Sequence, residues 1–180
     1  ADPLTLAGGA TLNTSGGGTL QIISTVSSSG GSIVANGGVV DAQMNLNGVA
    51  LVGNNAQIDL RANQTLSSLV VNGGTVDVAD LTERLVVRTG SFAATGSAVV
   101  DLNDNALIVD YTGASPLAGI ASDRNAGRLT SSLLTSATAL AVVDNASLGL
   151  NSFAGQSVDA TTILAARALK GDTNLSGGVD

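Results

Sequence analysis

The stretches ANGGVVDAQ (35–43), GNNAQIDLR (53–61) and VNGGTVDVA (71–79) repeat one pattern at a spacing of 18 residues. The shared polar positions are Asn36, Asn54 and Asn72, and then Asp41, Asp59 and Asp77. A fixed short period predicts stacked coils, because so short a coil can bury its apolar face only against its neighbours. The sequence therefore predicts a β-solenoid in which each coil adds strands about 4.8 Å above the last.

Two aliphatic columns extend this repeat along the chain. The columns are Ile22, Val40, Ile58 and Val76, and Ile33, Leu51, Leu69 and Val87. Neighbouring residues on a strand point to opposite faces, so the aliphatic residues are predicted to lie inside and the three repeated aspartates to be exposed. A related strand, AVVDLND (98–104), follows after a longer step. We therefore predict stacked coils over residues 20–104.

The repeated asparagines precede a Gly or another Asn, which indicates a corner between strands. A left-handed backbone is accessible to Gly and Asn there, and stacked amides can hydrogen-bond along the stack. Aliphatic residues at 40, 46, 52 and 58 also indicate a six-residue sub-period, which is typical of left-handed, triangular solenoids. Gln64, Thr82 and Arg88 break that sub-period. We therefore favour a right-handed β-helix with coils of about 18 residues.

Composition agrees with an all-β chain and excludes several kinds of chemistry. Hydrophobic residues make up 44% of the 180 residues, aromatic residues only 2%, and there are 23 glycines. Such a chain suits many short strands with an aliphatic interior. The absence of Cys and His excludes thiol nucleophiles, Ser-His-Asp triads and His-based zinc sites.

Charge and hydropathy limit the partners. The net charge is −7 and the seven basic residues are scattered, so a phosphate backbone would be repelled and we expect no nucleic-acid partner. No apolar run approaches the roughly 18 residues of a membrane span, so we expect no membrane insertion. A cell-surface polysaccharide or protein remains the expected class of partner.

The aspartate column is the main candidate for chemistry. Three stacked carboxylates are able to bind calcium or to act as an acid–base set, with Arg61, Arg84 or Arg88 as a basic partner. The competing interpretation is that they are solvated outward positions on repeated strands. We favour this second interpretation, because enzymes that cleave sugars on such folds normally carry aromatic platforms, and this chain has two Phe and one Tyr.

The 18-residue register fades after residue 113. SPLAGIAS (115–122) predicts a short helix with Ser115 as its N-cap and Pro116 at its first position. RLTSSLLTSA (128–137) is ambiguous. The segment 161–172 is rich in helix-forming residues, and on propensity alone it would be a helix.

NALIVDYTGASPLAGI (105–120), the segment from 139 to 180 and the Gly-rich repeats before them resemble the C-terminal part of large secreted planctomycete-type proteins. Those proteins carry autotransporter-associated β-strand repeats and end in a dockerin-like calcium segment. The resemblance covers about residues 85–180 and implies an extracellular or cell-surface protein with no catalytic residues. It also implies that 139–150 and 161–170 are strands, which would pair antiparallel and cover the open end of the solenoid.

The last ten residues, GDTNLSGGVD (171–180), follow the spacing of a calcium loop. Oxygen ligands at alternate positions and a Gly at the sixth position are typical of such loops. The predicted ligands are Asp172, Asn174, Ser176, Gly178 through its carbonyl, and Asp180. The acidic residue at the twelfth position lies beyond Asp180, so we interpret the loop as truncated and expect low occupancy by calcium. The solenoid itself requires no cofactor.

These features predict four regions and a non-enzymatic role. The regions are an N-terminal partial coil (1–19), a β-solenoid (20–112), a cap with one short helix and antiparallel strands (113–170), and the truncated dockerin-like or EF-hand-like loop (171–180). The predicted function is that of an extracellular structural or adhesive module of a larger protein. The alternatives are a remnant of a carbohydrate-active β-helix enzyme and a filament subunit that associates end to end through its first coil.

Overall fold

A computed structural model describes residues 2–172 and 174–179 of the chain. It is a mostly β structure, a β-solenoid of about five turns with coils of about 20 residues and two short helices, as the repeat predicts. The first strands are β1 (Leu4–Leu6), β2 (Thr11–Ser15), β3 (Thr19–Ile22), β4 (Val26–Ser28), β5 (Ser32–Asn36), β6 (Val39–Ala42), β7 (Val49–Leu60) and β8 (Gln64–Val78). The following solenoid strands are β9 (Val86–Thr89), β10 (Phe92–Thr95), β11 (Val99–Asp101) and β12 (Ala106–Asp110).

The remaining elements form the cap. They are α1 (Leu117–Asn125), β13 (Leu129–Thr130), β14 (Thr138–Asp144), α2 (Asn145–Leu148), β15 (Ser152–Phe153), β16 (Gln156–Ser157) and β17 (Thr162–Leu169).

The solenoid strands form three stacks of parallel neighbours. The amide stack contains β2, β5, the first part of β7, the middle of β8, and β10. The aspartate stack contains β3, β6, the last parts of β7 and β8, β11 and β13. The cap stack contains the start of β8, β9 and β12, while β1 and β4 pair with each other in the first two coils.

The step of 18 residues is confirmed for the three coils that carry the repeat. Val40 lies level with Ile58, which lies level with Val76, and all three are buried. The step is longer on both sides: Leu20 pairs with Val40, and Val76 pairs with Val100. Turn lengths outside the three repeats therefore raise the mean coil length above 18.

The backward extension of the first column to Ile22 was wrong. Leu20 lies level with Val40, whereas Ile22 lies level with Ala42 and is buried in the neighbouring position of the same strand. The reason is that the turn between these coils has two more residues than the later turns. The shift is even, so an inward residue still lands on an inward position.

The second column also changes its last member. Ile33, Leu51 and Leu69 are in register as predicted, but Phe92 and not Val87 lies beside Leu69. Val87 belongs to the cap stack, where it lies level with Gln64. The loop between β8 and β9 lengthens this coil and displaces the register.

Glycines at the corner between the amide and aspartate stacks let coils approach closely. Gly38 and Gly74 have φ of 67° and 79°. A Cβ on Gly74 would lie 2.1 Å from the carbonyl oxygen of Ala56, and one on Gly38 would lie 2.4 Å from that of Gly18. No side chain fits there without moving a backbone.

The predicted helix is present as α1, with a boundary that differs by one residue. Pro116 and not Ser115 stands at the N-cap. The Oγ of Ser115 accepts only a long 3.4 Å hydrogen bond from the Leu117 N–H, and its hydroxyl donates to Asp144. The helix buries Ile120 against the solenoid interior. It lies between β12 and β13, so it takes the place of a strand in the last coil.

The antiparallel strands of the cap are confirmed, with one correction. β17 pairs antiparallel with both β12 and β14, although its residues favour a helix. The predicted strand over 139–150, however, ends at Asp144, and a second helix, α2, follows. Asp144 caps this helix by accepting a 3.0 Å hydrogen bond from the Ala146 N–H, and Gly149 ends it at a φ of 65°. The cap therefore has two short helices and not one.

Candidate functional site

The aspartate column lies on the outer side of the aspartate stack. Asp41 is level with Asp59, and Asp59 is level with Asp77. Asp101 continues the column one coil further, level with Asp77. These residues form the aspartate ladder, in which neighbouring carboxylates are one strand spacing apart.

The prediction that all three repeated aspartates are exposed was wrong for two of them. Asp41 and Asp59 are each only 8% exposed, while Asp77 is exposed. The side chain of Arg61 covers the first two: its Nε donates to Asp41 over 2.6 Å, and its Nη2 lies 3.3 Å from Asp59. Asp41 and Asp59 point outward and are nevertheless buried, because the long side chain of Arg61, two residues after Asp59, lies across them.

Amide side chains complete the lower part of the ladder. The Nε2 of Gln43 and that of Gln21 donate to Asp41 over 2.9 and 3.2 Å, and the Nε2 of Gln57 donates to Asp59 over 2.9 Å. The hydrogen bond from Gln43, together with those from Arg61 and Gln21, lowers the pKa of Asp41 below its usual value of 3.8. The same pairing raises the pKa of Arg61. Asp41 is therefore a bound carboxylate at neutral pH and not a proton donor.

The upper part of the ladder is held by the turn after β11 and by the segment after β13. Asp77 accepts a 3.1 Å hydrogen bond from the Nδ2 of Asn103. Asp101 accepts 2.9 Å hydrogen bonds from the backbone N–H groups of Asn103 and Ser132. Asp77 keeps the most exposed carboxylate among the three repeated aspartates. Sequence reasoning did not include Asn103, although its place two residues after Asp101 was the available signal.

The predicted basic partners divide between two faces. Arg61 joins the aspartate ladder, but Arg84 lies in the loop before β9 and Arg88 lies on β9, in the cap stack. The Nε of Arg84 donates to the carbonyl of Asp104 over 2.6 Å, and Arg88 forms an ion pair with Asp110. The structure therefore brings one of the three arginines to the aspartates.

An amide ladder lies at the corner between the amide and aspartate stacks, as the repeated asparagines predict. The Nδ2 of Asn54 donates to the Oδ1 of Asn36 over 2.7 Å, and that of Asn72 donates to Asn54 over 3.0 Å. The hydroxyl of Thr95 extends the ladder by donating to Asn72 over 2.9 Å. The residue after each asparagine takes the left-handed conformation, as Asn55 does at a φ of 50°.

The predicted calcium loop is ordered around its first residue. Asp172 is 7% exposed, and its two carboxylate oxygens accept hydrogen bonds from the N–H groups of Ser176 and Gly177 over 3.0 and 2.9 Å. Asn174 also accepts a 2.9 Å hydrogen bond from Ser176. Gly178 lies in the same turn, and Asp180 lies outside the described residues. The ligand assignment stays a prediction.

The open cavities border the cap and not the aspartate ladder. One of about 250 Å³ is lined by Arg84, Arg167, Asp172 and neighbouring residues of β17. Another of about 440 Å³ lies between the end of α1 and the start of β14. In residues 2–172 and 174–179, no three His, Cys, Asp or Glu side chains are grouped so as to hold a metal ion. Neither described helix is long and apolar enough to cross a membrane.

Comparison with family models, with curated proteins and with solved structures found no match to this chain. The β-solenoid fold is therefore established by the strand register and the buried columns alone. What the solenoid does must be inferred from its own surfaces.

Proposed function

We propose that this chain is a non-enzymatic structural or adhesive module of a larger extracellular protein, in which the stacked coils form a rigid spacer. The observation that carries the proposal is the internal pairing of the aspartate ladder. Its lower carboxylates, Asp41 and Asp59, receive their hydrogen bonds from Arg61 and from glutamine side chains of their own and adjacent coils. Carboxylates that are paired in this way stabilise the stack and have little hydrogen-bonding capacity left for a substrate.

The outer side of the amide stack supports an adhesive role. Its outward positions on β5, β7 and β8 are small, aliphatic or amide residues without a charged group: Ser32, Val34, Asn36, Ala50, Val52, Asn54, Ser68, Val70 and Asn72. A flat row of amides that donate and accept hydrogen bonds suits a neutral partner, such as a cell-surface polysaccharide or a protein. An acidic or basic polymer would find no counter-charge on this face.

The extracellular setting rests on the resemblance of residues 85–180 to secreted planctomycete-type proteins with autotransporter-associated repeats and a dockerin-like end. The confirmed strand pairing of β14 with β17 is compatible with that resemblance. Antibody labelling of intact and permeabilised source cells tests the setting. Labelling of intact cells is expected, and labelling only after permeabilisation would contradict it.

One observation favours a second candidate, a carbohydrate-active remnant. Asp41, Asp59 and Asp77 share one face with Arg61, which is the kind of charged cluster that β-helix enzymes acting on sugars use. Asp77 is the exposed member and would be the residue to meet a substrate. We rank this function second, because the open cavities border the cap instead of this face.

A panel of uronic-acid and neutral polysaccharides tests the two functions against each other. Reducing ends and unsaturated products are measured for the wild-type chain and for Asp59→Asn and Asp77→Asn. We expect no turnover by any of the three. Turnover by the wild type that either substitution abolishes would overturn the non-enzymatic proposal.

A further inference from the structure

β14 is the longest strand of the cap with a partner on one side only; β13, β15 and β16 also have one partner each but are two residues long. In the sheet order, β14 is the terminal strand and is followed by β17, β12, β9 and β8. Within the described residues, its strand partner is β17 alone. The antiparallel strands thus cover the last coil of the cap stack, but they move the open edge to β14 instead of removing it. The backbone N–H and C=O groups on that edge have no strand partner within the described residues.

The residues of this edge carry none of the usual obstacles to strand pairing. Natural edge strands are commonly blocked by Pro, by Lys, by an inward charge or by a bulge. β14 reads TALAVVD, with its one charged residue, Asp144, at the very end. Its register with β17 is continuous from Thr138 to Asp144, so no bulge interrupts it.

The strand is suited to antiparallel pairing with its own copy. With Ala141 opposite Ala141 of the second copy, Leu140 meets Val142 and Ala139 meets Val143. Leu140 and Val142 both pack toward the solenoid interior, so this pair joins the aliphatic cores of the two copies. Aliphatic cross-strand pairs are among those that stabilise antiparallel sheets.

Charge favours the same arrangement. The start of β14 lies beside two basic residues, since Arg124 and Lys170 line one cavity with Thr138 and Ala139. The end of β14 carries Asp144. An antiparallel pair brings the acidic end of each copy to the basic end of the other, twice by symmetry. A parallel pair would place like charges together.

We propose that the free edge of β14 pairs antiparallel with β14 of a second copy, and that this contact joins two solenoids cap to cap in a symmetric dimer. A contact built on a seven-residue strand is small, so we expect a dissociation constant on the order of micromolar. The dimer closes on itself, which distinguishes it from end-to-end filaments formed through the first coil.

Cross-linking tests the register directly, because the chain has no cysteine of its own. Ala141→Cys places two thiols opposite each other on the symmetry axis, where antiparallel Cα atoms are about 4.5 to 5.5 Å apart and a disulfide fits. We expect Ala141→Cys to form a disulfide-linked dimer at least about tenfold faster than Gln57→Cys, which changes an exposed residue on β7 in a middle coil. Equal rates would overturn the proposal.

A charge exchange tests the same contact without oxidation. Ala141→Lys and Ala141→Glu each set like charges opposite one another, so each variant alone is expected to be monomeric in sedimentation where the wild type is dimeric. An equimolar mixture is expected to restore the dimer, which shows that both variants are folded. A wild-type chain that stays monomeric at about 100 times the expected dissociation constant would overturn the proposal. Association that survives Ala141→Lys would overturn it too, and would point to the first coil.

Discussion

At the scale of single residues, Val76 shows what the interior of the solenoid accepts. It lies between Ile58 and Val100 in the aspartate stack and is 1% exposed. Each coil buries a few aliphatic side chains directly above those of the coil below. Small side chains of complementary shape therefore fill the interior without large aromatic rings. A chain with 2% aromatic residues can therefore fill this core.

Val76→Asp should lower the free energy of unfolding by roughly 3 to 5 kcal/mol, because an unpaired carboxylate would enter the aliphatic stack. Urea denaturation measures the change. The matched control is Thr75→Asp, one residue earlier and exposed, which should change the stability by less than about 0.5 kcal/mol. Equal losses for the two variants would show that Val76 is not in the interior.

Asp41 and Arg61 illustrate what residue patterns do not reveal. Alternation correctly predicts that Asp41 points outward, yet burial depends on the neighbours that lie across it. Arg61 is one coil above Asp41 and two residues after Asp59, so all three side chains extend from the same face. An Arg or Gln two residues from a repeated Asp was the signal in the sequence for a paired ladder.

The lowered pKa of Asp41 predicts a specific pH dependence. A carboxyl group whose folded pKa lies below its unfolded value stabilises the fold above that value, about 3.8, and loses this contribution as the pH falls through the folded pKa. Arg61→Met should raise the pKa of Asp41, as measured by carboxyl NMR titration. The stability difference between wild type and Arg61→Met should therefore be largest near neutral pH and shrink below pH 3.8.

Arg124→Met is the matched control for this titration, because Arg124 hydrogen-bonds Asn125 and not the ladder. It should leave the pKa of Asp41 unchanged. The free energy of unfolding should fall in acid even in Arg61→Met, because other acidic groups, Asp144 among them, also have a lowered pKa in the fold. Burial raises the pKa of Asp144, but hydrogen bonds from Ser115, Ala146 and Tyr111 outweigh it and lower the pKa. An Asp41 pKa that is the same with and without Arg61 would contradict the geometry of the ladder.

At the scale of elements, the corners explain which parts of the fold could be predicted from the sequence. Three consecutive coils share the same corner, an Asn followed by Gly or Asn. Because this corner recurs every 18 residues, the period of these coils could be predicted from the sequence. The columns failed at Ile22 and Val87, because turn lengths change there and nothing in the aliphatic pattern marks the change. α2 was missed, since four residues are too few to show helical periodicity, although Asp144 and Gly149 are suitable caps.

The amide ladder should contribute measurably to the stacking of coils. Asn54→Ala removes one hydrogen bond to Asn36 and one from Asn72, so a loss of about 1 kcal/mol in the free energy of unfolding is expected for this partly exposed pair of bonds. Asn13→Ala, at an exposed position on β2, is the control and should be nearly neutral. Equal stabilities of wild type and Asn54→Ala would show that the ladder is incidental.

The C-terminal loop should bind calcium weakly in the 180-residue chain. Asp172 and Asp180 are the two carboxylates among the predicted ligands, and calcium loops with few charged ligands have dissociation constants in the range of about 0.1 to 1 mM or weaker. Calorimetric titration measures this binding, and Asp172→Asn should abolish it. Submicromolar binding would contradict the interpretation of an incomplete site, and binding unchanged by Asp172→Asn would contradict the ligand assignment.

At the scale of the whole molecule, stability comes from contacts between adjacent coils and not from one central core. The strand partners lie mostly one coil away along the chain, and the aliphatic columns run through the stack from β3 to β11. Such a molecule is stiff along its axis and exposes edges at its ends. The last coil would otherwise expose its edges, which explains the added strands and helices of the cap. β14 is the longest cap strand whose edge stays open, so we expect association there.

Paired cysteines test the stacked register most directly. Gln57→Cys with Thr75→Cys should form an intramolecular disulfide readily, because these outward residues lie level on adjacent strands about 4.8 Å apart. Gln57→Cys with Asp77→Cys places the Cα atoms about 8 Å apart, too far for a disulfide without backbone movement. Fast closure of the first pair and slow closure of the second is the predicted result. Faster closure of the second pair, or failure of both, would contradict the 18-residue stacking of these coils.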